Sequence, residues 1–168
     1  MIVVRPVRGR SELSEFVRLP RHFYRSEPGF RPPLDHERHE FLRLDRAPVA
    51  QRGTVEYWIA WRNGKAVGRI SAQIDPLTLA AWNEPTGMFG CLDAVDDAGV
   101  VGELLATASN WLAGQGMKKM RGPFTLSINE EPGLLVEGQA EAPMLLSPWH
   151  PAYLAGRMEA AGLRAVKD

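Results

Sequence analysis

The chain is poor in cysteine: Cys91 is the only one in 168 residues. That excludes an internal disulfide framework and a multi-cysteine metal site, and it fits a reducing, cytoplasmic setting. Net charge is also missing, because twenty Lys and Arg balance twenty Asp and Glu. A protein whose main business is gripping nucleic acid along a basic face is therefore not expected, although arginines crowd the stretch before Arg52. No apolar run approaches the roughly 20 residues of a membrane helix, and MIVVRPVRGR lacks the apolar core and cleavage site of a signal peptide. Internal repeats, low-complexity tracts and linkers are absent too. The expectation is a soluble cytoplasmic domain over residues 1–168, with no nucleic-acid and no membrane partner.

What is present is periodicity. Residues 2–7 read as a strand, and Ser11 is placed to cap a helix carrying Leu13, Phe16 and Val17 on one face. Pro20 should break or kink that helix. The Pro- and Gly-rich RSEPGFRPP follows, then LDHERHEFLRL as a short helix. In VEYWIAWRNGKAVGRISAQID, two β-rich runs, residues 55–62 and 66–74, meet at Asn63-Gly64, a pair suited to a type I′ hairpin turn. PLTLAAWNEPTG reads as less ordered, and residues 88–95 as a strand. Val101, Leu104, Leu105, Ala108, Trp111 and Leu112 recur at the spacing of one helical stripe, stopped by Gly114 and Gly116. A strand is predicted over 118–124, short apolar runs at 134–136 and 144–146, a helix over 151–161 and the start of a final strand at 163–166.

This order gives a mixed α/β fold in which the strand 88–95, the long helix and the strand 118–124 make a βαβ crossover. The order, the hairpin WRNGKAVGRI and the ending MEAAGLRAVKD resemble the GNAT superfamily of N-acetyltransferases over nearly the whole chain. FYRSEPGFRPPL, FGCLDAVDD, RGPFTLSINEEPGLLVEG and SPWHPAYL resemble, more narrowly, a bacterial GNAT-like family whose members continue into a second, similar half. The resemblance implies an α/β GNAT-like (acyl-CoA N-acyltransferase) fold: a mixed, mostly antiparallel sheet flanked by helices with a central βαβ crossover. It also implies an acyl-CoA donor such as acetyl-CoA, no metal, and a small-molecule amine acceptor.

In GNAT enzymes, backbone amides at the turn into the central helix hold the donor's pyrophosphate, as a helix N-terminus readily does. The corresponding stretch here is Asp96-Asp97-Ala98-Gly99-Val100-Val101-Gly102, so Ala98, Gly99, Val100 and Gly102 are the donor-binding candidates. The glycine spacing and the basic lead residue of the family pattern are missing. Asp96 or Asp97 can instead cap the helix by accepting from the amides a pyrophosphate would use. A donor then needs Arg or Lys from a neighbouring segment to offset those charges.

The GNAT pattern also implies a carboxylate base and a tyrosine that protonates the leaving thiolate. Met158 occupies the usual tyrosine position, and Tyr153, about one and a half turns earlier, is the substitute. SINEEPG supplies the best polar cluster, with Glu130 as candidate base, Asn129 beside it, and Ser127 and Glu131 as neighbours. The bland alternative is a turn in which Ser127 and Asn129 bond local backbone while the glutamates face water. SPWHPAYL also places Trp149 and His150 at the start of the last helix, where a lone His suits a surface or capping role. His36 and His39 have helical spacing but no third ligand. Cys91 suits packing, and Trp58, Trp61 and Trp111 suit the sheet and core.

A GNAT sheet closes with a hairpin after the last helix, and only its first strand is expected here. That predicts the first part of a longer polypeptide, or an open C-terminal edge covered by a second GNAT-like domain or a second copy. Two functions stay open: an acyltransferase with a degenerate pyrophosphate turn, and a catalytically inactive GNAT-derived binding or scaffolding domain.

Overall fold

A computed structural model describes residues 1–166. The chain opens with β1 (Ile2–Pro6) and α1 (Gly9–Phe23). Ser11 does not cap α1, which starts two residues earlier, where Glu12 accepts from the Arg8 amide. Nor does Pro20 end it, since α1 runs on to Phe23. Proline cannot donate to the Phe16 carbonyl one turn back, and the Arg69 guanidinium does so instead, at 2.7 Å.

After α2 (Asp35–Leu42) and α3 (Pro48–Arg52) come β2 (Thr54–Arg62) and β3 (Lys65–Ile74). Their turn has Asn63 at φ 51° and Gly64 at φ 74°, the left-handed pair a type I′ hairpin requires. PLTLAAW is a helix, α4 (Pro76–Trp82), rather than loose chain. Asp75 caps it by accepting from the Leu77 amide at 3.0 Å, and Pro76 sits at the first helical position, where no N–H is needed.

β4 (Thr86–Ala94), α5 (Ala98–Gly114) and β5 (Lys119–Arg121) form the crossover. The sheet order is β1-β2-β3-β4-β5, with every neighbour antiparallel except the parallel β4–β5 pair. One apolar core lies between the sheet and α5, which buries Val101, Leu104, Leu105, Ala108 and Leu112, the stripe read from its sequence. A second lies on the other face, between the sheet and α1 to α3, around Phe16, Leu42, Val49 and Tyr57.

The strand expected at 118–124 is divided. β5 stops at Arg121, and β6 (Phe124–Thr125) pairs instead with β7 (Glu131–Pro132). Pro123 has no donor to extend a ladder, and the chain turns across the face of β4 there. The carbonyl of Phe124 passes where a Cβ on Gly90 would lie, 2.0 Å from it, and accepts from Gln73 at 2.7 Å.

α6 (Tyr153–Ala160) closes the described fold. Residues 163–166 form no strand, so the open edge expected there is not present among the described residues. Gly162 at φ 92° reverses the chain, the Leu163 amide donates to the Met158 carbonyl at 3.1 Å, and Leu163 packs on the core. The apolar residues that suggested a strand are a helix stop with its hydrophobic contact. The runs at 134–136 and 144–146 are also irregular chain, with Met144, Leu145 and Leu146 exposed.

Candidate active site

β3 alternates in a way that prepares a site. Gly68, Ile70 and Ala72 face α5, whereas Arg69, Ser71 and Gln73 form a buried polar row on the opposite face. Next to that row β4 carries a bulge: Asp93 pairs with Arg69 and Gly90 with Ser71, so Cys91 and Leu92 together oppose Ile70. Cys91 takes φ 47° at the bulge. One extra residue reverses the side-chain parity of a strand. Phe89 and Leu92 therefore share the α5 core, and Asp93, which unbroken alternation would send into that core, reaches Arg69 on the polar face.

Over this face lies a cleft of about 220 Å³. Its walls come from α1 and the chain leading to α2, from the β4 bulge, from the β6–β7 hairpin and from residues 143–150. The four stretches that carry the narrower family resemblance, far apart in sequence, all contribute to it. Two of them are locked together by Tyr24, Phe30 and Trp149, whose ring centroids lie 5.3–5.4 Å apart.

Ion pairs line the interior. Arg69 donates to Asp93 at 2.8 Å, and Arg38 of α2 pairs with Glu131 of β7. His150 is buried between these pairs, close enough to feel both carboxylates. Its Nδ1 accepts from the Leu135 amide at 3.2 Å, so in the neutral ring the proton sits on Nε2. Burial holds its pKa below the ordinary value, keeping it neutral. Burial likewise pushes the Cys91 thiol up, in keeping with a packing role at the cleft wall.

A second feature adjoins the cleft, one residue along β4. Strands β4 and β5 pair only from Thr86–Lys119 to Met88–Arg121 and then part. Val95 donates to Val67 of β3, so the backbone groups of Ala94 point the other way, toward the open side. There the Ala94 amide donates to the Tyr24 hydroxyl at 3.2 Å, and the Ala94 carbonyl accepts from the Tyr153 hydroxyl at 2.6 Å. Burial raises the Tyr153 pKa to about 12.

The N-terminus of α5 completes the site. Asp97 is its cap, accepting from the Val100 amide at 3.1 Å. Pairing with Arg62 at 2.8 Å, aided by the helix amides of Val100 and Gly99, holds its carboxyl below the usual range. Asp96 pairs with Arg157 of α6, also at 2.8 Å. Arg62 and Arg157, from a strand and a helix far away in sequence, thus balance the two aspartates of this turn.

The expected residues divide accordingly. Tyr153 bonds to Ala94 at the open edge of β4, and Ala98, Gly99, Val100 and Gly102 lie within the first five residues of α5, the helix that follows β4. Glu130 and Asn129 are not on the cleft wall; Glu131 is. Ser127 accepts from the Asn129 amide at 3.2 Å, and its carbonyl accepts from the Glu130 amide at 3.3 Å, the local turn weighed as the alternative. His36 and His39 lie on α2, and no metal-binding cluster groups them with a third donor among the described residues. Sequence reasoning missed Arg69 and Asp93, placed Glu131 in the polar cluster but chose Glu130 as its base, and gave His150 a surface or capping role. The alternation of Arg69, Ser71 and Gln73 against small and apolar residues was the available signal.

A bulged β4, a crossover helix and a neighbouring strand that parts from β4 beside a cleft can be compared with solved structures. A tandem GNAT protein from the clavulanic acid biosynthesis pathway superposes with a TM-score of 0.63 at 16% identity, covering 96% of this chain and 43% of that one. The chain has the GNAT fold. An aminoglycoside acetyltransferase from an uncultured soil metagenomic sample, solved with sisomicin, shares the GNAT arrangement at a TM-score of 0.52 and 15% identity, over 74% of this chain and 78% of that one. No family model matches. Among curated proteins, Protein YghO of Escherichia coli K12 is 38% identical over 160 residues, 95% of this chain and 41% of that protein. A bacterial ceramide synthase of Caulobacter vibrioides is 39% identical over 168 residues, 97% of this chain and 43% of that protein. The chain thus spans about two-fifths of the length of these curated relatives. No helix among the described residues is long and apolar enough to cross a membrane.

Proposed function

We propose that this GNAT-fold chain takes part in N-acyl transfer from an acyl-CoA to an amine. The observation that carries the reading is the adjacency on β4 of the Tyr153 hydroxyl at Ala94 and the carboxylate-bearing cleft at Asp93. An acceptor ammonium in the cleft gives a proton to a carboxylate, with Glu131 taking the role first expected of Glu130. The free amine attacks the thioester carbonyl carbon, the C–S bond breaks, the departing thiolate takes the proton of Tyr153, and the nitrogen's remaining extra proton passes to the tyrosinate, leaving amide, thiol and a restored tyrosine. With its pKa raised to about 12, Tyr153 is in the protonated form at neutral pH that the acid role requires.

The ceramide synthase relative bears on the acceptor, since a ceramide is an amide of a fatty acid with a long-chain amino alcohol. Exposed Met144, Leu145 and Leu146 on the cleft wall suit an alkyl chain. The test is to incubate the chain with acyl-CoAs of increasing length and a long-chain amino alcohol, following free thiol and amide mass together. Amine-dependent thiol release supports the reading, and its absence at every acyl length overturns it.

The self-capped turn favours a second reading, a binding or scaffolding domain that takes no donor, because Asp97 already uses the Val100 amide. Calorimetry with acetyl-CoA and longer acyl-CoAs separates the two. Saturable binding removes the second reading.

A further inference from the structure

Leu145 is 93% exposed, with Met144 at 81% and Leu146 at 56% beside it, although all three also line the cleft. Residues that are exposed yet belong to the lining mark the cleft's mouth. Met144 to Ser147 is a turn, closed by the Ser147 amide donating to the Met144 carbonyl at 3.1 Å. The two leucines form its corner, and Leu146 takes φ 60°, where Gly or Asn is usual. Neither apolar core includes them, so they cost solubility and backbone strain without stabilising the fold.

The corner stands on a fixed base. The backbone of Gln139 and Glu141 packs on Gly29, where no Cβ would fit, and the Trp149 indole donates to the Gln139 carbonyl at 3.1 Å. Trp149 in turn packs on Tyr24 and Phe30. The leucines are thus held out at the same mouth as Arg31, Pro32 and Pro33.

Charge at this mouth has one sign in excess. Arg31 spends Nη1 on the carbonyls of Pro28 and Phe30, and its other nitrogens have no partner among the described residues. Arg21 and Arg18 share one carboxylate, Asp35, at 2.8 and 3.6 Å. Asp93 and Glu131 are more deeply buried and each meets its own arginine. Glu27, Glu37 and Glu141, close in sequence, do not line the cleft. Three arginines about one carboxylate, beside an exposed Met-Leu-Leu corner, complement a surface that is anionic outside and apolar within. A folded partner fits less well, because covering the mouth would close the cleft to its ligand. A single bound alkyl chain also fits less well, since it would cover only the side of Leu145 that faces it.

We propose that the mouth of the cleft docks on an anionic lipid bilayer, with Leu145 and Leu146 entering the acyl boundary and Arg18, Arg21 and Arg31 meeting lipid phosphates. The contact is peripheral, made by one loop corner and its basic rim. The cleft then opens on the lipid phase, and an amphiphilic ligand enters it without crossing water. Zero net charge points away from a membrane partner in the sequence, because only folding brings these arginines to the leucines. Docking does not depend on acyl transfer.

The experiment is co-sedimentation of the chain with vesicles of phosphatidylcholine alone and of phosphatidylcholine with about one-third phosphatidylglycerol. The anionic vesicles should bind at least about tenfold more tightly, and about 0.5 M salt should remove most of that preference. Leu145→Ser combined with Leu146→Gly should weaken binding to anionic vesicles about tenfold. Because Gly is favoured at φ 60°, this pair should leave the melting temperature unchanged or raised. Arg31→Glu should also weaken binding about tenfold. Leu77→Ser, at a leucine 64% exposed on α4 and outside the cleft, should change nothing. Failure to bind anionic vesicles overturns the proposal, as does binding that survives the leucine pair or Arg31→Glu, or that Leu77→Ser weakens equally. Sedimentation velocity without lipid tests the rival occupant: a dimer that the leucine pair abolishes would assign the corner to a second copy and overturn membrane docking. Vesicle binding is read without donor or acceptor, so its failure leaves the acyl-transfer reading standing, and failure of acyl transfer leaves docking standing.

Discussion

The Phe16 carbonyl takes its hydrogen bond from Arg69, 53 residues away in sequence, because residue 20 is a proline. The same guanidinium pairs with Asp93 and lies over the Phe16 ring, 4.7 Å from its centroid. It therefore joins α1, β3 and the β4 bulge at the floor of the cleft.

Removing that guanidinium should be severe. Arg69→Met leaves a buried Asp93 without its partner and the Phe16 carbonyl without a donor, and the expected loss is about 3–5 kcal/mol in urea denaturation. Adding Asp93→Asn should recover part of it, because the uncompensated charge is gone. A loss below about 1 kcal/mol for Arg69→Met would show that the pair does not hold these elements together.

At α5 the cap and the donor compete for the same amides. Asp97→Ala should cost about 0.5–2 kcal/mol in stability. Replacing both aspartates with asparagine frees Arg62 and Arg157 beside the helix N-terminus, so acyl-CoA affinity should rise in calorimetry. Unchanged affinity would place the diphosphate elsewhere.

Tyr153→Phe removes the proposed proton donor and the hydrogen bond to Ala94. On the acyl-transfer reading kcat should fall about 100-fold or more with little change in KM for the amine. A purely structural tyrosine would lower the melting temperature without separating kcat from KM in this way.

His150 makes stability depend on pH in a defined window. Burial lowers its folded pKa below the ordinary 6.5, although Asp93 and Glu131 facing it favour the charged form. Above that value both folded and unfolded chains hold it neutral. Below it the unfolded chain binds a proton that the folded chain refuses, so stability declines as pH falls from about 6.5 toward 5. The paired carboxylates Asp75 and Asp97 are held below their usual range, the first by Arg52 and the second by Arg62, and their contribution is lost only at lower pH. Melting curves of His150→Gln should be flatter than those of the parent between pH 5 and 6.5; parallel curves would assign the slope to other groups.

The local signals held where local physics decides. Asn63-Gly64 specifies its own turn, the α5 stripe specifies its buried face, and Asp97 lies beside the amides it caps. They failed where a distant group supplied what the segment lacked. Pro20 reads as a helix breaker until Arg69 arrives, and Leu163 reads as a strand residue until Gly162 turns it back on the core. Glu130 and Glu131 are neighbours in one loop, and nothing within SINEEPG says which will meet Arg38.

By itself, then, the sequence determined the hairpin, the buried face of the crossover helix and the capped turn, because each depends on residues within a few positions of one another. Only the tertiary structure decided the cleft. A one-residue bulge in β4 sets which face Asp93 occupies, and the folding of four separate segments over that face brings it together with Glu131 and His150. Side-chain parity and long-range packing are properties of the assembled sheet, and no single stretch of the chain encodes them.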